Sequence, residues 1–132
     1  MTPQNAFEGD PMEADRRLAM CKLLIAGRKL IGEHLGFEAC PCPTWDVLLD
    51  LYAASHEGRT TYLWSLCVAA NIPMSSAHRK ITELIGEDVL GRSGDDADGR
   101  RVAVHLKPST IATLDRLFDA LAPLVAAMNL LG

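Results

Sequence analysis

The stretch Ile72-Pro73-Met74-Ser75-Ser76-Ala77-His78-Arg79-Lys80-Ile81-Thr82-Glu83-Leu84 decides how this chain folds. From Pro73 onward the apolar residues Ala77, Ile81 and Leu84, with Ile85 beside them, recur at i, i+4 and i+7, which is one face of a helix. Ser75, Ser76, His78, Arg79 and Thr82 fall on the opposite face, polar throughout and small near its start. Immediately upstream, Tyr62 to Ala70 reads as a short apolar helix. Asn71 tolerates the left-handed conformation and can end that helix before Ile72 and Pro73 restart the chain. Two helices joined by a tight turn are therefore expected.

Helical periodicity stops at Gly86. Val89 to Ser93 and Val102 to Leu106 then read as two short strands, the second alternating Val102, Val104 and Leu106 against Ala103, His105 and Lys107. The Gly- and Asp-rich segment Gly94 to Gly99 joins them as a hairpin. A helix pair followed by a hairpin describes a winged helix-turn-helix, whose second helix enters the major groove while the hairpin reaches the flanking backbone or minor groove.

The flanks are helical. Pro11 to Leu35 carries apolar residues on more than one stripe, and a helix apolar on two sides needs two neighbours. Gly36 ends it, Pro41 and Pro43 stiffen the connection, and a second helix starts with Thr44 as N-cap and closes near Gly58. Pro108 and Ser109 open a last helix, in which Ile111, Leu114, Phe118, Leu121, Val125 and Met128 are spaced alternately by three and four residues, the seam of a helix that packs on another helix. Pro123 is expected to kink it. The expected fold class is mainly α with a small β-hairpin wing. A flexible arm over residues 1–11 precedes one domain over 12–132, with a DNA-binding core at about 44–108.

Together with Val89-Leu90-Gly91-Arg92 and Asp98-Gly99-Arg100-Arg101-Val102-Ala103-Val104-His105-Leu106, the run at 72–84 resembles the MarR family of bacterial transcription regulators, over roughly Trp45 to Leu117. In that family the wing reads Asp, then Arg-Arg, then alternating apolar residues ending in Leu-Thr, with a Gly soon after. Asp98 and the arginine pair fit; Lys107-Pro108-Ser109-Thr110 replaces the usual end. The resemblance implies Arg100 inserting into the minor groove and Asp98 with Arg101 bracing the wing or touching phosphate. It implies Ser75, Ser76, His78, Arg79 and Thr82 facing the major groove of double-stranded DNA. It also implies a homodimer formed by the terminal helices, about 12–35 and 109–131, on a roughly palindromic operator. Leu18, Leu24, Ile25, Ile31, Leu114, Phe118, Leu121, Val125 and Met128 are the candidate dimerisation residues; the plainer alternative is that these helices cover only their own core. Repression and a small-molecule effector, bound between the dimer helices and the winged domain, are implied by the family alone. Nothing in the residues identifies an effector.

The chemistry supports the same side chains independently. Arginine makes a bidentate contact to guanine O6 and N7, serine and threonine serve phosphate or base edges, and a narrow minor groove attracts a guanidinium. The helix start near Ser75 presents amide N–H groups to phosphate. Each has a plainer reading: a solvated helix face for Arg79, a wing-tip ion pair with Asp95, Asp96 or Asp98 for Arg100, and simple capping for Ser75 and Ser76.

Charge tests the idea. The chain has 132 residues with 13 Lys and Arg against 17 Asp and Glu, a net charge of −4, which gives no global attraction for nucleic acid. From Pro73 to Lys107, however, six basic residues stand against six acidic ones, so the acid excess lies elsewhere. This predicts modest, salt-sensitive DNA affinity resting on a few arginines. It also keeps a second class in play, a winged-helix protein-interaction module that antagonises another regulator.

Other chemistry is not expected. The longest apolar stretches fall short of the ~18 residues of a membrane-spanning helix, and Met1 to Asp10 lacks the basic start and apolar region of a signal peptide, so a cytoplasmic protein is expected. Cys21, Cys40, Cys42 and Cys67 are too few and too unevenly spaced for a disulfide framework. Cys21 and Cys67 read as core residues. Cys40-Pro41-Cys42 carries soft-metal or oxidant chemistry in principle, although no zinc set completes it locally unless Cys21, His34 or Cys67 converge on it. Gly94 to His105 lacks the first and last carboxylates of a calcium loop. No metal, cofactor or catalytic group is expected, since no triad, phosphate loop or nucleophile motif occurs. Trp64 is expected as a core plug, the alternative being an exposed aromatic near a cleft.

Overall fold

Asp10 sets the start of the first helix: its Oδ1 accepts the Met12 amide at 3.0 Å and Pro11 takes the first helical position. The computed structural model describes residues 10–94 and 102–131. Helix α1 spans Pro11–Leu35, followed by a 3-10 turn at Phe37–Ala39 that lays the Phe37 ring across Gly32. Any side chain at Gly32 would collide with that ring. Helix α2 spans Pro43–Glu57. Thr44, expected as its N-cap, instead lies inside the first turn; Cys42 holds the cap position because Pro43, with no N–H to lose, takes the first helical place. Gly58, at φ 70°, ends the helix in the left-handed conformation.

The expected helix at Tyr62 begins one residue later. Thr61–Tyr62 forms a short strand, β1, and helix α3 spans Leu63–Ala69. Two residues carry no alternation, so this strand had no pattern to read; pairing with a distant strand creates it. Asn71 adopts φ 60°, the left-handed turn expected of it, and helix α4 follows over Met74–Gly86. Strands β2 (Leu90–Ser93) and β3 (Ala103–Leu106) are antiparallel, with Leu90 opposite Leu106 and Ser93 opposite Ala103. β1 joins the other edge of β3, Thr61 opposite Val104, giving the order β1-β3-β2. Val102, Val104 and Leu106 are buried and His105 is exposed, the alternation expected. Helix α5 spans Pro108–Leu131 and runs through Pro123 as one helix. The fold is a winged helix-turn-helix, mainly α with a small three-stranded sheet.

The departure at Lys107 to Thr110 has a local cause. The chain turns there from sheet into α5, and the Thr110 hydroxyl donates to the Val89 carbonyl at 2.7 Å while the Lys107 amide donates to the same oxygen at 3.2 Å. The helix start is thereby tied to the sheet.

The core lies where α2, α4, α5 and the sheet meet. Tyr52 and Phe118 cross edge to face with ring centres 4.8 Å apart, in a core that also buries Leu49, Leu51, Leu66, Ile81 and Leu90. Two neighbours for α1 were expected, and α2 and α5 both pack on it. The burial corrects the dimerisation set. Leu114 and Phe118 are 4% and 1% exposed and belong to this chain's own core, so they have no surface left for a partner. Leu18, Leu24, Ile25 and Leu121 pack against the core from its edge and Val125 is half-buried. Ile31 and Met128 stay outward at 44% and 69% exposure.

Polar pairs lock α1 and α5 together. Arg17 donates to both Asp119 oxygens, at 2.9 and 2.7 Å, and lies 3.9 Å from Asp115. Asp115 accepts the Tyr52 hydroxyl at 2.5 Å. The bond from Arg17 holds the Asp119 carboxyl below its usual range. Burial, and then the bond to Asp115, push the Tyr52 hydroxyl upward.

Candidate nucleic-acid interface

Helix α4 is amphipathic as its sequence requires. Ala77, Ile81 and Leu84 are buried, fixing the helix on its neighbours, while Ser75, His78, Arg79 and Thr82 are exposed and Ser76 is half-buried. The cap position is Pro73, and no side chain caps the helix, so Ser75 and Ser76 are not its caps. The first intrahelical bond runs from the Ala77 amide to the Pro73 carbonyl at 2.9 Å. The amides of Met74, Ser75 and Ser76 precede it, in the turn where a helix has no internal acceptor to offer.

Charge along α4 is sorted by pairing. Glu83 lies 3.4 Å from Lys80, and Asp88, just past the helix, lies 3.1 Å from Lys107. No described carboxylate pairs with Arg79. The Thr82 hydroxyl donates to the His78 carbonyl at 2.8 Å, which commits its proton and leaves its oxygen as an acceptor. Arg79, Ser76, Lys80 and Glu83 flank a shallow concavity of about 250 Å³ on the side of the helix. The wing residues Asp98, Arg100 and Arg101 lie outside the described residues.

Trp64 is not a core plug. A helix of seven residues turns only Leu66 and Cys67 fully inward, and Trp64 lies on the other side, 54% exposed. Val68, one turn on, and Met74 at the start of α4 are also exposed. The helix-turn-helix thus exposes three large apolar side chains as well as its polar face.

The turn itself is held from behind by residues the sequence reading passed over. Arg28 of α1 donates through Nε to both Asp46 oxygens, at 3.0 and 3.3 Å, in a pair with side chains only 8% and 4% exposed. Asn71 Nδ2 donates to the same carboxylate at 3.0 Å and to the Ala69 carbonyl at 3.2 Å. One buried carboxylate therefore joins α1, α2 and the left-handed turn. A signal was present: Arg28 stands seven residues after Cys21 and four before Gly32, and these three are the buried residues of α1.

The cysteines divide by burial. Cys21 donates to the Leu49 carbonyl at 3.2 Å and burial pushes its thiol up to about 12; burial also raises Cys67. Cys40 and Cys42 are exposed. Among the described residues, no three His, Cys, Asp or Glu side chains come together as a metal site, and no helix is long and apolar enough to cross a membrane.

No protein-family model matches the chain, and no curated protein does. Among solved structures, the chain is similar to a MarR family transcriptional regulator from Silicibacter pomeroyi DSS, at 22% identity and a TM-score of 0.48, over 96% of this chain and 80% of that one.

Proposed function

We propose that this protein is a sequence-specific regulator of transcription that binds double-stranded DNA as a homodimer, α4 reading the major groove and the wing reaching the flanking minor groove. The observation that carries this reading is the outward face of α4, where Ser75, His78, Arg79 and Thr82 stand exposed on a helix anchored by Ala77, Ile81 and Leu84. Arg79 supplies the bidentate donor that distinguishes guanine, and the α4 amides supply phosphate contacts. Arg100, Asp98 and Arg101 are assigned to the wing contact by the resemblance of their motif.

Dimerisation is assigned to apolar side chains that the chain's own core leaves uncovered. Leu23, Leu30 and Ile31 on α1, with Leu124 and Met128 on α5, are between 44% and 69% exposed. A two-fold dimer built there presents two copies of α4 to successive turns of a pseudo-palindromic operator. Binding across a promoter represses by excluding polymerase.

The exposed Trp64, Val68 and Met74 favour a second reading, a winged-helix module that docks on another protein. Fluorescence anisotropy with duplex DNA over a salt series separates the two. DNA reading through phosphates predicts affinity falling steeply as salt rises, while an apolar docking surface predicts no duplex binding and salt-tolerant capture of a protein.

A further inference from the structure

Cys40, Pro41 and Cys42 link the 3-10 turn at Phe37–Ala39 to helix α2, and both thiols are exposed. The backbone around them is stiff. Pro41 and Pro43 each fix φ, the Ala39 amide donates to the Gly36 carbonyl at 3.1 Å before the pair, and the Asp46 amide donates to the Cys42 carbonyl at 3.0 Å after it. Cys40 and Cys42 share their backbone angles, φ −145° with ψ 63° and 64°. Cys42 stands at the cap position of α2, yet its side chain makes no capping bond. The other two thiols are withdrawn: Cys21 and Cys67 are buried, and burial holds the proton on each.

We propose that Cys40 and Cys42 chelate a single soft monovalent metal ion, Cu(I), through both sulfurs. Thiolates select Cu(I), zinc and iron–sulfur clusters. Zinc and the clusters require four protein ligands, and among the described residues no His, Cys, Asp or Glu joins this pair as a third. Cu(I) is satisfied by two thiolates in a line. Two peptide links keep the Cα atoms of residues 40 and 42 within about 7 Å of each other, so both side chains can reach one ion. A disulfide across one intervening residue would be strained, whereas a bridging ion asks for no bond between the sulfurs. On binding, each thiol gives its proton to solvent and each sulfur forms one bond to the ion; no electron is transferred. The stiff linker lowers the ordering cost of bringing the two ligands together. The site stands without the DNA reading.

The whole chain, purified and kept reduced without oxygen or DNA, is titrated with Cu(I) held by the coloured chelator bicinchoninate. The expected result is removal of one ion per chain from the chelator, with thiolate-to-metal absorption appearing in the ultraviolet. Cys40→Ser and Cys42→Ser each leave one thiol and are expected to weaken binding about hundredfold or more, because the second ligand no longer acts at high effective concentration. Cys67→Ala keeps the pair and should bind as the wild type does. Zn(II) should bind at least about hundredfold more weakly than Cu(I). Circular dichroism confirms that each variant is folded. Uptake no greater than that of the double Cys40→Ser, Cys42→Ser variant, one ion shared by two chains, zinc held as tightly as Cu(I), or undiminished binding by either folded single serine variant overturns the proposal. Because no DNA is present, failure of the DNA reading does not affect this outcome.

Discussion

Replacing Arg79 with alanine removes an exposed guanidinium and nothing from the core. Its expected effect is therefore on base preference, at about 1–3 kcal/mol for the preferred site, whereas Arg100→Ala should weaken all sites more evenly. Competition binding on operator variants checks both, and unchanged affinity in both variants would remove the contact assignment. His56 gives a second test at this scale. It stacks on Tyr52 with ring centres 4.6 Å apart, and burial holds its pKa below 6.5. A base whose folded pKa is lowered contributes stability fully above the unfolded value and loses it as pH falls through 6.5. The wild-type melting temperature should accordingly drop more between about pH 7.5 and about pH 5.5 than that of His56→Gln. Equal slopes would show that the imidazole carries no part of the pH dependence.

Between elements, the shared carboxylate of Asp46 makes the position of the helix-turn-helix turn depend on α1. Asp46→Ala leaves Arg28 buried without its counter-charge and should cost about 3–5 kcal/mol in urea unfolding. Asn71 separates two contributions. Asn71→Gly keeps the left-handed turn and loses the side-chain bonds to Asp46 and Ala69, while Asn71→Ala loses the same bonds and forces φ 60° on a residue that resists it. The alanine variant should be the less stable of the two by about 1–2 kcal/mol, and equal stabilities would contradict this account of the turn. Periodicity makes α1, α4 and the wing strands legible in the sequence, and the residue type of Asn71 does the same for the left-handed turn, because each is written locally. It could not reveal β1, which exists only through pairing with β3, or the burial of Arg28, which depends on where α2 places Asp46. The same limit applies to Leu114 and Phe118, which this chain's own core buries. A three-and-four spacing shows that a helix face is buried, and it does not say whether the burying partner is the same chain or a copy of it.

For the molecule as a whole, the uncovered apolar side chains of α1 and α5 define the surface on which the proposed dimer depends. Leu124→Glu with Met128→Glu should give a folded monomer by sedimentation, whereas Phe118→Ala should unfold the chain more easily by about 3–5 kcal/mol, because it hollows the core. A monomeric wild type would contradict the dimer. The net charge of −4 sets the terms of binding: attraction to DNA comes from a few placed arginines and not from a basic surface. Selection of bound fragments from a random duplex pool with the purified protein tests the central claim most directly. The account predicts enrichment of a pseudo-palindrome with half-sites about 10 base pairs apart, bound less tightly as salt rises. A pool that emerges without any enriched sequence would contradict it.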